Sequence, residues 1–427
     1  MQQTFTTFVG KSVRRLAKLR GGGSALPGLF AETIDPGFIK RTLSSLPSGI
    51  VIVTGTNGKT TTTKLAVELL EGQGMRVFTN RTGSNFTRGI AAALLGEIDN
   101  RGRLDADIAV LELDEAYAVR FVQTIKPDYC LLLNVSRDQL DRFGEIDQVA
   151  NLLRKVASAT TRGIVINRDD PYLYSQKTLG SLAIPFRTFS VAASLKDLFP
   201  TDSAIHGDDS EVGSLKLSDS DDTILTKLTE DTATFEFDGA THSTKILLKG
   251  AYNVQNATGA IAITRMIMGD NLDNAKLMES LASVTPAFGR GETISIYDQT
   301  CEIVLVKNPN GFQSALKSFP VTNQATMLAI NDQYADGRDV SWLWDVDFSS
   351  LSKSGVAMVS GVRAYDMALR LSYDQIEIDN VSPDIISALK QLLRDHKSKP
   401  LRIFCTYTAM LQIRHQLTKL AKAKATR

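Results

Sequence analysis

A chain of 427 residues, 43% hydrophobic and 22% charged, holds enough material for two or three packed domains, and its net charge of +1 leaves no electrostatic footprint for nucleic acid. No apolar run approaches the ~20 residues of a membrane-spanning helix and no secretory leader is recognisable, so a cytoplasmic protein is expected. Cys130, Cys301 and Cys405 are scattered in apolar runs as core fillers, and His206, His242, His396 and His415 stand apart from one another. Neither a metal cluster nor a Cys-His or Ser-His pair is visible.

Residues 1–46 read as a basic amphipathic helix, a break at Gly21-Gly22-Gly23 and a second short helix. The cations Lys11, Arg14, Arg15, Lys18 and Arg20 suit a solvated helix face or a membrane-surface patch. Next comes "GIVIVTGTNGKTTTTKL" (49–65). Ile50 to Val53 is a β-branched run of the buried-strand type, Gly55 and Gly58 mark a tight turn, and Leu65, Val67, Leu69 and Leu70 supply the apolar positions of a helix. Strand, glycine loop and helix together turn backbone N–H groups toward one point at a helix N-terminus, where polyphosphate is favoured. Lys59 would reach the β- and γ-phosphates and the Thr60 hydroxyl would ligate Mg²⁺. The general pattern wants glycine where Val53 stands, so the loop is the compact form Gly55-Thr56-Asn57-Gly58-Lys59-Thr60-Thr61.

Apolar runs then alternate with helical patterns: "DIAVLELDE" (107–115), "YCLLLNV" (129–135) and "GIVIN" (163–167) predict buried parallel strands of a doubly wound sheet. Ligands sit at the ends of such strands. Glu112 and Asp114 follow one of them, either as helix caps or, for Glu112, as the second anchor of Mg²⁺ opposite Thr60. Residues 202–222 carry seven acids against one lysine and read as a mobile loop or small insertion. "AFGRGE" places Arg290 between two glycines at the expected domain boundary, where a guanidinium could swing onto a γ-phosphate. From about 293, "EIVLVKN", "ATMLAIN", "GVAMVSG" and "LRIFCTY" repeat the alternation and predict a second, smaller α/β domain. Trp342 and Trp344 would share one face of a strand, as core packing or as a partner-facing anchor.

In order and spacing, "GTNGKTT", "LELDE", "NVSRDQLDRFG", "INRDDP", "GAYNVQNATGAIA" and "AFGRGE" resemble the Mur ligases, ATP-dependent peptide-bond formers of peptidoglycan synthesis. "RDQLDRFGEID", "LVKNPNGF" and "NDQYADGRDVSWLWD" narrow the resemblance to the MurT branch, the synthetase subunit of lipid II isoglutaminyl synthase, over nearly the whole chain. It implies an α/β chain in three parts: an N-terminal helical segment (1–46), a Mur-ligase-like P-loop domain with a doubly wound, mostly parallel sheet (47–292, insertion about 188–245), and a Rossmann-like C-terminal domain (293–427). It also implies an activity. ATP would phosphorylate the D-glutamate α-carboxylate of lipid II at the inner face of the cell membrane, and ammonia from a GatD-type glutaminase, the partner of a heterodimer, would attack the acyl phosphate.

The same resemblance implies roles. Gly55 to Thr61 would cradle ATP, with Lys59 and Arg290 stabilising phosphoryl transfer, and Thr60 and Glu112 would hold Mg²⁺. Asn253 and Asn256 match the adenine-contacting motif, Asn167 lies near the same nucleotide, and Asn85 in "TNRTGSNFTRG" is the substrate contact. Asp339 matches the aspartate that completes the Cys-His pair of the glutaminase across the interface; Asp332, Asp336 and Asp345 are neighbours for that role, and a plain turn cap is the bland alternative. Gln139 stands where most Mur ligases have histidine, and Val304 where they hold the ribose with aspartate. No cysteine occurs in 188–245, so the zinc ribbon of many MurT chains is not expected. Two other classes stay open: a stand-alone Mur- or folylpolyglutamate-type amino-acid ligase, and a non-catalytic nucleotide-binding scaffold.

Overall fold

The computed structural model describes residues 2–19, 26–80, 87–137, 146–199, 222–286, 289–296 and 299–425. Three helices precede the first strand: α1 (Gln2–Leu19), α2 (Leu26–Ile34) and α3 (Phe38–Leu43). One short helix was expected after the glycine break; Pro36, which has no N–H and clashes with a preceding turn, splits it in two. Asp35 is buried at that corner, accepts from the Thr6 hydroxyl at 3.3 Å and pairs with Arg41, so the split also docks α1.

The first sheet has the order β2-β3-β1-β4-β5-β6-β7-β8-β9. Its strands are β1 (Ile50–Thr54), β2 (Val77–Thr79), β3 (Ile108–Glu112), β4 (Tyr129–Leu132), β5 (Gly163–Asn167), β6 (Phe186–Val191), β7 (Asp222–Leu228), β8 (Thr232–Phe237) and β9 (Ala240–Lys245). Pairing is parallel from β2 through β7, and the last two strands are antiparallel. The stretch 188–245, expected as an insertion, continues this sheet, because β6 and β7 pair directly beyond β5. Most of the acidic segment, residues 200–221, lies outside the described residues.

Helices cover both faces: α4 (Lys59–Gly72), α5 (Thr87–Glu97), α6 (Glu115–Thr124), α7 (Ile146–Ala159), α8 (Gln176–Leu179), α9 (Ala251–Met268) and α10 (Asn274–Ser283). Alternation along β1 explains the two cores. Ile50 and Ile52 face Leu94, Phe121 and Leu153 of α5, α6 and α7, while Val51 and Val53 face Leu69, Ile261 and Leu277 of α4, α9 and α10.

A second sheet follows in the order β10-β11-β15-β12-β13-β14. It comprises β10 (Arg290–Ile296), β11 (Gln299–Leu305), β12 (Ala325–Ala329), β13 (Met358–Ser360), β14 (Val381–Ser382) and β15 (Leu401–Cys405), with only the β10–β11 pair antiparallel. β10 begins at Arg290, so this sheet starts just inside the segment expected to close the first region. Helices α11 (Pro309–Ser318), α12 (Ala364–Tyr373), α13 (Ile385–Asp395) and α14 (Tyr407–Ala425) pack on it. The two tryptophans lie on a 3₁₀ turn, Ser341–Asp345, not on a strand, so they diverge. Trp342 packs inward against Phe312 of α11, whereas Trp344 is 48% exposed and meets Tyr373 edge-on.

All three cysteines are buried; burial pushes the thiols of Cys130 and Cys301 up to about 12 and raises that of Cys405. Among the described residues no helix is long and apolar enough to cross a membrane.

Candidate active site

Register sets the site. Val53 lies beside Glu112 and Thr54 beside Leu132, so the ends of β3 and β4 flank the glycine loop that leaves β1. The loop turns where only glycine fits. Gly58 has φ +88°, and a Cβ there would stand 2.3 Å from Asn256 Oδ1; at Gly55 (φ +133°) it would meet the Asn134 backbone at 2.9 Å. Asn134, just past β4, clamps the turn: its Oδ1 accepts from Asn57 N at 2.8 Å and its Nδ2 donates to Asn57 O at 3.0 Å.

Lys59 opens α4 and is buried. Its Nζ donates to Gly55 O (2.7 Å) and Thr56 O (3.3 Å) and lies 3.3 Å from Glu115 Oε2. Glu115, at the start of α6, is also buried. Burial opposes its ionisation, but the charges of Lys59 and Lys307 outweigh it and hold the carboxyl below the usual range. Lys307, two residues beyond β11, donates to Thr56 O at 3.0 Å. Asn308 Nδ2 reaches Asn57 Oδ1 at 3.0 Å and Asn310 Nδ2 reaches Ser136 Oγ at 3.0 Å. The second sheet therefore delivers one short segment onto the glycine loop.

Thr60 and Glu112, the expected Mg²⁺ anchors, meet: Thr60 Oγ1 donates to Glu112 Oε1 at 2.8 Å. That spacing suits two adjacent oxygens of an octahedral ion with bonds of about 2.1 Å, and few protein ligands are usual for Mg²⁺. Asn80 braces Glu112 by exchanging hydrogen bonds with its backbone at 2.9 and 3.0 Å. Among the described residues no group of three His, Cys, Asp or Glu could hold a metal. The Thr61 hydroxyl and Asn253 Oδ1 are buried without a hydrogen-bond partner among the described residues, as groups awaiting a ligand would be.

The other expected residues divide. Asn256 stands against Gly58, and Asn253 donates to Lys249 O at 2.6 Å. Asn167 closes β5 and donates to Leu133 O at 2.8 Å, bracing the neighbouring strand end. Arg290 pairs with Val304 in the second sheet and makes no hydrogen bond or ion pair with the loop among the described residues. Asp339 is half-buried, and its Oδ1 accepts from Ser341 N at 2.8 Å. Of its neighbours, Asp332 pairs with Arg363 at 2.8 Å and Asp336 is buried on Thr408, while Asp345 is exposed. Asn85 and Gln139 lie outside the described residues. Sequence reasoning singled out neither Glu115 nor Lys307, although both stand inside quoted motifs; a carboxylate just past a strand end and a lysine before "NPN" were the available signals.

The profile of the Mur ligase middle domain matches residues 53–264 and that of the MurT ligase C-terminal region residues 305–410. The chain is 32% identical to the lipid II isoglutaminyl synthase (glutamine-hydrolyzing) subunit MurT of Streptococcus pneumoniae, over 98% of this chain and 97% of that one. Identity to the same subunit of Staphylococcus aureus strain COL is 26%, over 98% of each chain. MurF of Thermotoga maritima in complex with ADP superposes with a TM-score of 0.68 at 18% identity, covering 92% of this chain and 85% of that one. Folylpolyglutamate synthase of Mycobacterium tuberculosis, complexed with ADP and AMPPCP, gives 0.61 at 16% identity, covering 89% and 94%.

Proposed function

The chain belongs to the MurT family of Mur-ligase-fold synthetases, and on that premise we propose that it is the ATP-dependent carbon–nitrogen ligase of a two-subunit amidating enzyme. A carboxylate is a poor electrophile, so its oxygen first attacks the γ-phosphorus of ATP and ADP leaves. Ammonia then adds to the carbonyl carbon of the acyl phosphate, the C–O bond breaks, and phosphate departs with the amide formed. The acid is the D-glutamate α-carboxylate of lipid II, the product is D-isoglutamine, and the lipid-linked substrate places the chain at the inner face of the cell membrane.

Within this scheme the backbone N–H groups of Gly55 to Thr61 and the Lys59 ammonium bind the phosphates and stabilise the charge that spreads as the γ-phosphoryl moves. Thr60 and Glu112 would hold Mg²⁺, which supplies neutralising charge when bound. Asn253 and Asn256 face the adenine, with Asn167 bracing the same strand ends. Arg290 reaches the phosphates only after a movement of the second sheet's edge, and Asn85 contacts the substrate. Asp339 serves the partner, a GatD-type glutaminase, by orienting the imidazole of its Cys-His pair.

The convergence of Lys59, Glu115, the Thr60–Glu112 pair and Lys307 on one glycine loop carries this reading. Its test is mass spectrometry of lipid II after incubation with ATP and glutamine, using the chain alone and co-expressed with a glutaminase. Exchange of one hydroxyl for an amine only in the co-expressed sample is the expected result. Gain of an amino acid by the chain alone would support the stand-alone ligase instead.

A further inference from the structure

Asp339 and the glycine loop belong to different sheets, yet one helix joins them. Asn308 caps the N-terminus of α11 by accepting from Gly311 N at 2.8 Å while its Nδ2 donates to Asn57 of the loop at 3.0 Å. One turn along, Phe312 is fully buried and lies 6.3 Å from the Trp342 ring, centroid to centroid. Next to it, Gln313 Oε1 accepts from Asp347 N at 2.9 Å. Helix α11 thus grips residue 342 within the 3₁₀ turn and residue 347 just beyond it, and the first residue of that turn donates its N–H to Asp339 at 2.8 Å.

The loop end of this connection must change when nucleotide arrives. Lys59 cannot hold Gly55 O, Thr56 O and Glu115 while its ammonium faces phosphate oxygens. Lys307 is the other ammonium on Thr56 O, at 3.0 Å against 3.3 Å for Lys59, and it shares the field of Glu115. Any hold on Thr56 O that Lys59 gives up would be left to Lys307, the residue before Asn308, so a change at the loop would be felt by that segment.

We propose that Asn308 and Trp342 are positioning residues: through α11 they report nucleotide occupancy of the glycine loop to Asp339, so that the partner's glutamine hydrolysis is accelerated when ATP is in place. This rests on the function proposed above, and it gives ammonia release a timing that keeps it from being wasted.

The chain has two tryptophans, so Trp344→Phe leaves Trp342 as the single reporter. In the full-length Trp344→Phe protein, the non-hydrolysable analogue AMP-PNP with Mg²⁺ should change the emission saturably, with the midpoint that calorimetry gives for binding. Asn308→Ser keeps a capping oxygen but is too short to reach Asn57; it should bind the analogue and lose the emission change. Gln313→Ala, cutting the second grip at a partly exposed site, should weaken the change and serves if Asn308→Ser does not fold. In complex with the glutaminase, the analogue should stimulate glutamine hydrolysis by about tenfold or more, and Asn308→Ser should retain the nucleotide-free rate while losing the stimulation.

Calorimetric binding with unchanged Trp342 emission, or an Asn308→Ser protein that keeps both responses, would overturn the proposal. Glutamine hydrolysis that proceeds but ignores nucleotide would overturn it too and leave the functional reading intact. A complex that never hydrolyses glutamine while Trp342 still responds would instead remove the glutaminase partnership.

Discussion

The glycine loop after β1 and the turn that carries Asp339 both lie beyond the end of a parallel strand, yet they are held in opposite ways. Around the loop, Lys59, Asn134 and Lys307 hold its backbone, Glu115 pairs with Lys59 and Asn80 braces Glu112, so the contacts cross between strand ends. Asp339 is half-buried and, among the described residues, makes one local bond, accepting from Ser341 N. Charges that must act on a bound polyphosphate need a preorganised, water-poor surround, because only there is their attraction strong. A carboxylate that completes another chain's catalytic group must stay reachable, and it gains its final geometry from that chain. In the function proposed above, the first region is finished inside the molecule and the second would be completed by the partner.

The sharpest way to break this contrast is Asp339→Asn. Glutamine-driven amidation in the complex should fall on the order of 10⁴-fold, as when the third member of a triad is neutralised, while the rate with added ammonium stays unchanged. Loss of both rates would place Asp339 in the synthetase chemistry. Lys59→Ala should do the reverse, lowering amidation from glutamine and from ammonium alike, on the order of 10³-fold. If only the glutamine route suffered, the loop would not be where the phosphoryl group moves.

Glu115→Gln sharpens the comparison through stability. It leaves Lys59 buried without its carboxylate and should cost about 3 kcal/mol, read as a lower unfolding midpoint that ATP with Mg²⁺ largely restores by replacing the lost counter-charge. The pH dependence has a definite sign. Because the folded carboxyl of Glu115 is held below its ordinary value of about 4.3, its stabilising effect is complete above that pH and fades only as the pH drops through the lowered folded value. Native and Glu115→Gln proteins should therefore differ at neutral pH and converge in acid. The smallest effect concerns the scaffold common to both regions. At pH 8 the raised, buried thiols of Cys130, Cys301 and Cys405 should ignore a thiol reagent in the folded protein, and all three should react once it is denatured. Fast labelling of Cys301 and Cys405 with Cys130 still protected would reveal opening of the second sheet.

The two regions also differ in how openly the sequence announced them. Ile50 to Val53, the glycines of the loop and the apolar spacing of α4 form one local pattern, and each shaped its element as expected. Glu112 stands at the end of an apolar run, a place legible in the sequence, and its carboxylate accepts from the Thr60 hydroxyl. For Trp342 and Trp344 the spacing alone was undecided, because two residues apart means one face only on a strand, and the 3₁₀ turn sends one inward and one outward. Residues 202–222 read as an interruption because they are polar and acidic, yet β6 and β7, which lie on either side of nearly all of that stretch, pair directly.

Alternating apolar runs and a glycine-lysine turn were enough, by themselves, to determine two parallel-rich sheets and a tight glycine loop between β1 and α4, because pleat, helix period and positive φ are properties of neighbouring residues. Tertiary structure alone decided that Lys307 and Asn308 land on Thr56 and Asn57, 251 positions earlier in the chain, and that one buried carboxylate answers to two lysines. The reason is that field and desolvation at a point depend on which strand ends approach it, and that approach is set by how whole sheets pack.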